Sequence, residues 1–285
     1  MAVATPGGTP SGITNGPLGD IWYVDNVNRQ VVHELYAAGV SKTYSVAPLG
    51  YISDVTRGAD GNLWISAPLD NALGRLDPAT GTIDVIPLSS RASSAGSLVS
   101  APDGVWFTDA GPGNLVRVGY DGTLFEVASP SSWIGDGIAV DSRGAVWVSD
   151  PLSTDMFVFD PATGVFTTVA TGITGIQAIT PSARGGVWVA GAAELARVTS
   201  VGVSETTSIP VTTGGSAYIR TMEEGADGAV YFADFAEGLG WRNPSGAVSF
   251  LAPPMAGAKP EEVSVTSDGL LWYTDSARGT IGWRF

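Results

Sequence analysis

The chain has 285 residues, no cysteine and one histidine, and its 14 Lys+Arg against 28 Asp+Glu give a formal charge of −14. These counts exclude a disulfide framework, thiol chemistry, Cys-ligated zinc and any mechanism that needs two imidazoles. The acidic balance is the reverse of a nucleic-acid binder's and disfavours anionic membranes, so neither is an expected partner.

A hydrophobic share of 44% is enough for a sizeable core, while 15% charged residues, 38 Gly and 18 Pro describe a turn-dense chain. That combination points to an all-β fold with short hairpins. No apolar run approaches the length of a membrane-spanning helix, and residues 1–6 have neither a basic start nor an apolar stretch. The expectation is therefore no transmembrane segment and no signal peptide, with the chain cytoplasmic or assembled into a virion.

Taken in chain order, the first predicted element is a short strand over residues 2–5. A recurring unit follows: a glycine turn, an aromatic residue and two or three more strand residues. It runs Gly19-Asp20-Ile21-Trp22-Tyr23-Val24-Asp25, then Gly61-Asn62-Leu63-Trp64-Ile65-Ser66, then Gly104-Val105-Trp106-Phe107-Thr108-Asp109. It returns around Trp147, Trp188, Tyr231 and Trp272, so the aromatics recur at a near-constant period from Trp22 to the end of the chain.

Within each unit a short alternating segment comes first, such as Asp54-Val55-Thr56, followed by an Asp-Gly turn such as Asp60-Gly61 or Asp103-Gly104. Such pairs supply the positive φ that tight hairpins need. The aromatic strand is next, then a third strand such as residues 72–76. The turn Asp77-Pro78-Ala79-Thr80-Gly81 follows, repeated identically as Asp160-Pro161-Ala162-Thr163-Gly164, and then a fourth strand. Pro suits the first central position of a type I turn, and Gly the left-handed site after it. Four antiparallel strands per repeat, arranged in a ring, make a propeller blade. The prediction is an all-β, seven-bladed β-propeller forming a single domain over residues 1–285. After Trp272 only one more strand fits, over residues 280–285, so the N-terminal strand is expected to complete the last blade and remove an open edge.

The units lack the Gly-His pair of WD repeats and the spacing of the sialidase Asp-box. The pattern Asp-Gly-x-Leu/Val-Trp-Phe/Tyr-Thr-Asp, with Asn71-Ala72-Leu73-Gly74-Arg75-Leu76-Asp77-Pro78 downstream, resembles the streptogramin (virginiamycin B) lyase family across all seven repeats. The resemblance implies a seven-bladed propeller. It also implies histidines and a glutamate at the starts of the inner strands of late blades, assisted by magnesium, opening a cyclic ester by elimination.

A constant step back from each aromatic, as from Trp22 to Ser11 or from Trp64 to Ser53, locates that ring of positions. It holds Ser11, Ser53, Gly96, Asp136, Gln177, Arg220 and Glu261, with the step shortened by a deletion in the third blade. Arg220 and Glu261 stand where the resemblance puts histidines, and Lys259 where it puts the glutamate. His33 falls in a third strand and cannot substitute. No catalytic residue is therefore assigned. Asp136, Gln177, Arg220, Lys259 and Glu261, with Asp54, are the polar candidates at the channel mouth, either paired with one another or open to a polar ligand.

Five aromatic strands end in aspartate: Asp25, Asp109, Asp150, Asp234 and Asp275. Each either caps its following loop or joins an acidic collar for calcium or magnesium; no cofactor is otherwise expected. The repeat aromatics are read as core, and Trp133 as a loop residue. The functional expectation is a non-enzymatic binding or structural module for a protein partner or a surface glycan, possible as a subunit of a virion tail or surface assembly. The alternative is a lyase-like enzyme acting on a cyclic ester at the channel mouth.

Overall fold

A computed structural model describes the chain except residues 1, 5–7, 17–18, 36–39, 90–94, 110–112, 132–133, 136, 151, 212–216, 252–257 and 285. It is a seven-bladed β-propeller of four-stranded antiparallel sheets, with one 3-10 turn at Pro68–Asp70 and no α-helix among the described residues. The inner strands of blades 1 to 7 are Pro10–Asn15, Asp54–Arg57, Ala95–Ala101, Ile138–Val140, Ala178–Pro181, Ile219–Glu224 and Glu262–Val265. Each inner strand lies against the next, and the seventh lies against the first, so the ring closes.

Blade 7 takes its outer strand from the N-terminus. Ala2–Ala4 pairs antiparallel with Thr280–Arg284, Ala2 opposite Gly282, Val3 opposite Ile281 and Ala4 opposite Thr280. The predicted closure is present.

The aromatics occupy the second strand of each blade, and their burial explains the repeat. Trp64, Trp106, Trp147, Trp188 and Trp272 are at most 2% exposed. The apolar core divides into seven clusters, one per seam between neighbouring blades. Trp22 packs in the seam toward blade 2, Trp64 toward blade 3, Trp106 toward blade 4, Trp147 toward blade 5 and Trp188 toward blade 6. Trp272 closes the ring between blades 7 and 1. A bulky apolar ring once per repeat is thus what welds the sheets together. Tyr231 departs from this: it is only half-buried, because its hydroxyl turns outward to donate to Asp227 at 2.8 Å.

Three inner strands carry a bulge at the channel, between Ser11 and Ile13, Ala95 and Leu98, and Ile219 and Thr221. In the first, Gly12 has φ +49°, and a Cβ there would lie 2.6 Å from the Asp54 Cα. Only glycine accepts both that dihedral and that approach.

Candidate functional site at the channel mouth

The inner strands surround a cavity of about 770 Å³. One end is set by the starts of the inner strands and the ends of the aromatic strands, since a hairpin joins these two strands at the other end. Three of the positions counted from the sequence are structurally equivalent. The N–H groups of Ser53, Gln177 and Glu261 donate to Ser66, Ala190 and Thr274, each at the same place beyond its own aromatic. Ser53, Gln177 and Arg220 line the cavity. Asp136 and Trp133 lie outside the described residues.

Arg220 is the extra residue of the blade 6 bulge, half exposed, and its guanidinium lies 3.7 Å from a carboxylate oxygen of Glu261. The Ser276 hydroxyl donates to the other Glu261 oxygen. Lys259 is exposed at the rim, its ammonium 4.8 Å from the centre of the Phe235 ring, and its N–H donates to Asp275 at 3.0 Å. Arg220, Glu261 and Lys259 thus share the mouth between blades 6 and 7. His33 lies in the third strand of blade 1, opposite Trp22 on one side and Lys42 on the other, two strands out from the channel.

The strand-end aspartates are buried and hold loops. Asp25 accepts the N–H groups of Thr9 and Asn28, and Asp234 those of Tyr218, Ala236 and Glu237. Asp150 accepts from the Ser131 hydroxyl and the Leu152 N–H, and Asp275 from the Lys259 N–H. Asp109 is fully buried at the matching position. Asp25, Asp150, Asp234 and Asp275 each tie the segment before the inner strand to their own aromatic strand, or start the following turn. Among the described residues no three carboxylate or imidazole side chains stand close enough together to hold a metal ion.

Three further carboxylates, two of them missed from the sequence, lie deeper. Asp54, foreseen, accepts the N–H of Leu98 at 2.7 Å and that of Val55 at 2.8 Å. Glu223 accepts the N–H of Val265 at 2.9 Å and the amide of Asn15 at 2.8 Å. Glu262 receives the Ile13 N–H. Each therefore bridges its own inner strand to that of the next blade, and Leu98 and Ile13 sit at bulges, where the ladder leaves an N–H to spare.

Burial pushes these carboxyls up. Desolvation raises Asp54 to about 6, against the pull of its two N–H bonds and of Arg220. Desolvation raises Glu223 to about 7. Desolvation and then the Asp54 charge raise Glu262 to about 8, partly offset by Arg220. Glu223 and Glu262 carried no motif signal, being ordinary strand residues. The only hint was their place beside the ring positions: Glu262 directly follows Glu261, as Asp54 follows Ser53, and Glu223 lies a little beyond Arg220.

Residues 1–155, more than half of the chain, match the Virginiamycin B lyase family. The chain belongs to that family. A virginiamycin B lyase from Nocardia farcinica (strain IFM 10152) is 30% identical over 122 residues, a match covering 43% of this chain and 42% of the relative's length. The crystal structure of selenomethionine-substituted virginiamycin B lyase from Staphylococcus aureus superposes with a TM-score of 0.87 at 19% identity, over 99% of this chain and 97% of that one. A catalytically inactive variant of the S. aureus enzyme with quinupristin gives 0.87 at 20% identity, with the same coverage. The fold is not confined to lyases: a chain of a mitotic checkpoint complex superposes with a TM-score of 0.78 at 12% identity, covering all of this chain and 91% of that one.

At the positions where the resemblance implies two histidines and a glutamate, this chain carries Arg220, Glu261 and Lys259. Two cations and one carboxylate already held by Ser276 do not fit a magnesium ion, which takes oxygen ligands.

Proposed function

We propose that this member of the virginiamycin B lyase family is a non-enzymatic binding module that uses the channel-mouth face. The observation that carries the reading is the trio Arg220, Lys259 and Glu261 at the positions where the resemblance places the catalytic set. Elimination from a cyclic ester needs a group that accepts a proton near neutral pH. A guanidinium does not, and Glu261 is held by Ser276 and faces Arg220. The partner classes of this reading are a surface glycan and a neighbouring protein, the latter as in a virion tail or another surface assembly.

A second reading, a lyase-like enzyme, draws on Glu262. This carboxyl lines the cavity with a proton affinity suited to transfer near neutral pH. One assay separates the two. Purified protein is incubated with a streptogramin B antibiotic and magnesium, and the ring-opened product is followed by mass spectrometry. The binding reading expects no product. Turnover that Glu261→Gln or Glu262→Gln abolishes would restore the enzyme.

A further inference from the structure

The arginines of this chain are used in two ways. Away from the mouth, Arg75, Arg117 and Arg143 are paired with the turn aspartates Asp60, Asp103 and Asp141. Arg184, Arg197 and Arg242 converge on Glu205. At the mouth the pattern changes. Arg220 meets Glu261 at 3.7 Å, longer than a hydrogen bond, and its side chain is 51% exposed. The ammonium of Lys259 lies over the Phe235 ring and leaves its donors to solvent. Two cations with unspent donors therefore stand together on one sector.

The rings beside them are open too. Tyr218 and Phe235 meet edge to face, 6.4 Å between centroids at 82°, and are 49% and 44% exposed. Backbone bonds hold the pair in place: Asp234 accepts the Tyr218 N–H, and the Phe235 N–H donates to the Tyr218 carbonyl at 3.1 Å. The backbone beneath these rings is held and about half of each ring is exposed, with Lys259 over Phe235, whereas the repeat tryptophans are buried. Fixed, exposed aromatics offer contact area at little entropic cost.

We infer that the blade 6–7 sector of the mouth binds a carboxylated saccharide, one ring stacking on Tyr218 and Phe235 and its carboxylate meeting Arg220 and Lys259. The inference rests on the reading of this face as a binding surface and names its ligand class. A guanidinium with free donors pairs with a carboxylate through two parallel bonds. Exposed Gln177 and the Tyr218 phenol add polar contacts suited to sugar hydroxyls; Gln177 and Arg220 line the channel cavity, and the two rings and Lys259 lie outside it, on the rim. The opposing acids near Arg220 are Asp54, Glu261 and Glu262. Of these, Glu262 favours its neutral form, because burial and then the Asp54 charge raise it to about 8.

The test is titration calorimetry with trigalacturonate and with its fully methyl-esterified form, at pH 7. Trigalacturonate should bind, and the ester should bind at least ~10-fold more weakly, the loss expected when a charge-assisted pair is removed. Arg220→Met should weaken trigalacturonate at least ~10-fold and Phe235→Ala several-fold, with both variants still unfolding cooperatively above the titration temperature, so that the loss is read on folded protein. No heat with trigalacturonate, equal binding of the ester, or binding indifferent to both variants overturns the inference. A neutral oligosaccharide that binds instead and is lost in Phe235→Ala overturns the acidic ligand but keeps the binding-module reading. Ring opening of a streptogramin B overturns that reading itself.

Discussion

Trp64 has its indole N–H on Asp60 at 3.3 Å, and the Arg75 Nε bonds the same carboxylate at 3.0 Å while its guanidinium lies 5.7 Å from the Trp64 ring. The unit of aromatic, turn aspartate and third-strand arginine recurs with Trp106, Asp103 and Arg117. Blade 4 reaches the same end differently: Val158 stands opposite Trp147, and Arg143 from the turn bonds Asp141, which also accepts the Trp147 indole at 3.0 Å. Truncating Trp64 to Ala removes a ring buried between two blades and should cost about 3–5 kcal/mol in urea unfolding. A loss under ~1 kcal/mol would show that the aromatic is not a seam residue. The aromatics and the Asp-Gly turns were legible because their period is regular. The indole–carboxylate bond was not, because the spacing from aspartate to aromatic differs in each of blades 1 to 4, as in Asp20 to Trp22 against Asp141 to Trp147, and no fixed motif results.

At the scale of the element, the strands could be read from alternation and turn chemistry, but the bulges could not. A bulge leaves the sequence looking like any other strand while it shifts which side chains and N–H groups reach the neighbouring blade. Glu223 and Glu262 escaped for a simpler reason: a constant step back from the aromatics samples one position per inner strand, and these two lie just past the sampled Arg220 and Glu261. The bulges hid instead the spare N–H groups of Leu98 and Ile13 that Asp54 and Glu262 meet. Two variants probe these elements. Gly12→Ala forces a Cβ against the Asp54 backbone at a positive φ, and should destabilise by about 1–3 kcal/mol. An unaltered urea midpoint would show that the blade 1 bulge relaxes freely. Deleting residues 1–5 removes the strand Ala2–Ala4 and bares the edge of Thr280–Arg284, so the melting temperature should fall. A truncated chain melting with the parent would mean that the closing strand adds nothing to the ring.

For the whole molecule, two sets of carboxyls pull stability in opposite directions with pH. On the blades, burial alone would raise Asp60, Asp141 and Glu205. Bonds from Asn62 and Trp64 hold Asp60 below its usual range, bonds from Arg143 and Trp147 hold Asp141 there, and the surrounding arginines hold Glu205. A lowered folded value means that the unfolded chain binds more protons, so this stabilisation is complete above the ordinary carboxylate range and is lost as pH falls through the folded values. Around the channel the sign is reversed. Asp54, Glu223 and Glu262 are raised to about 6, 7 and 8, so the folded chain holds more protons between the ordinary carboxylate range and pH 8. Stability should therefore decline as pH rises across that interval, most steeply between the ordinary carboxylate range and about pH 6, where all three still hold protons in the folded chain alone, and more gently as Glu223 and Glu262 ionise in turn. The melting temperature should peak on the acid side of neutrality, fall toward pH 8 through the channel and fall below about pH 4 through the blades. Glu262→Gln keeps the size of the side chain and removes its ionisation, so it should flatten the alkaline decline while leaving the acid limb in place. An alkaline decline of equal size in that variant would remove Glu262 from the account and leave the pH dependence to Asp54, Glu223 and the chain's overall negative charge.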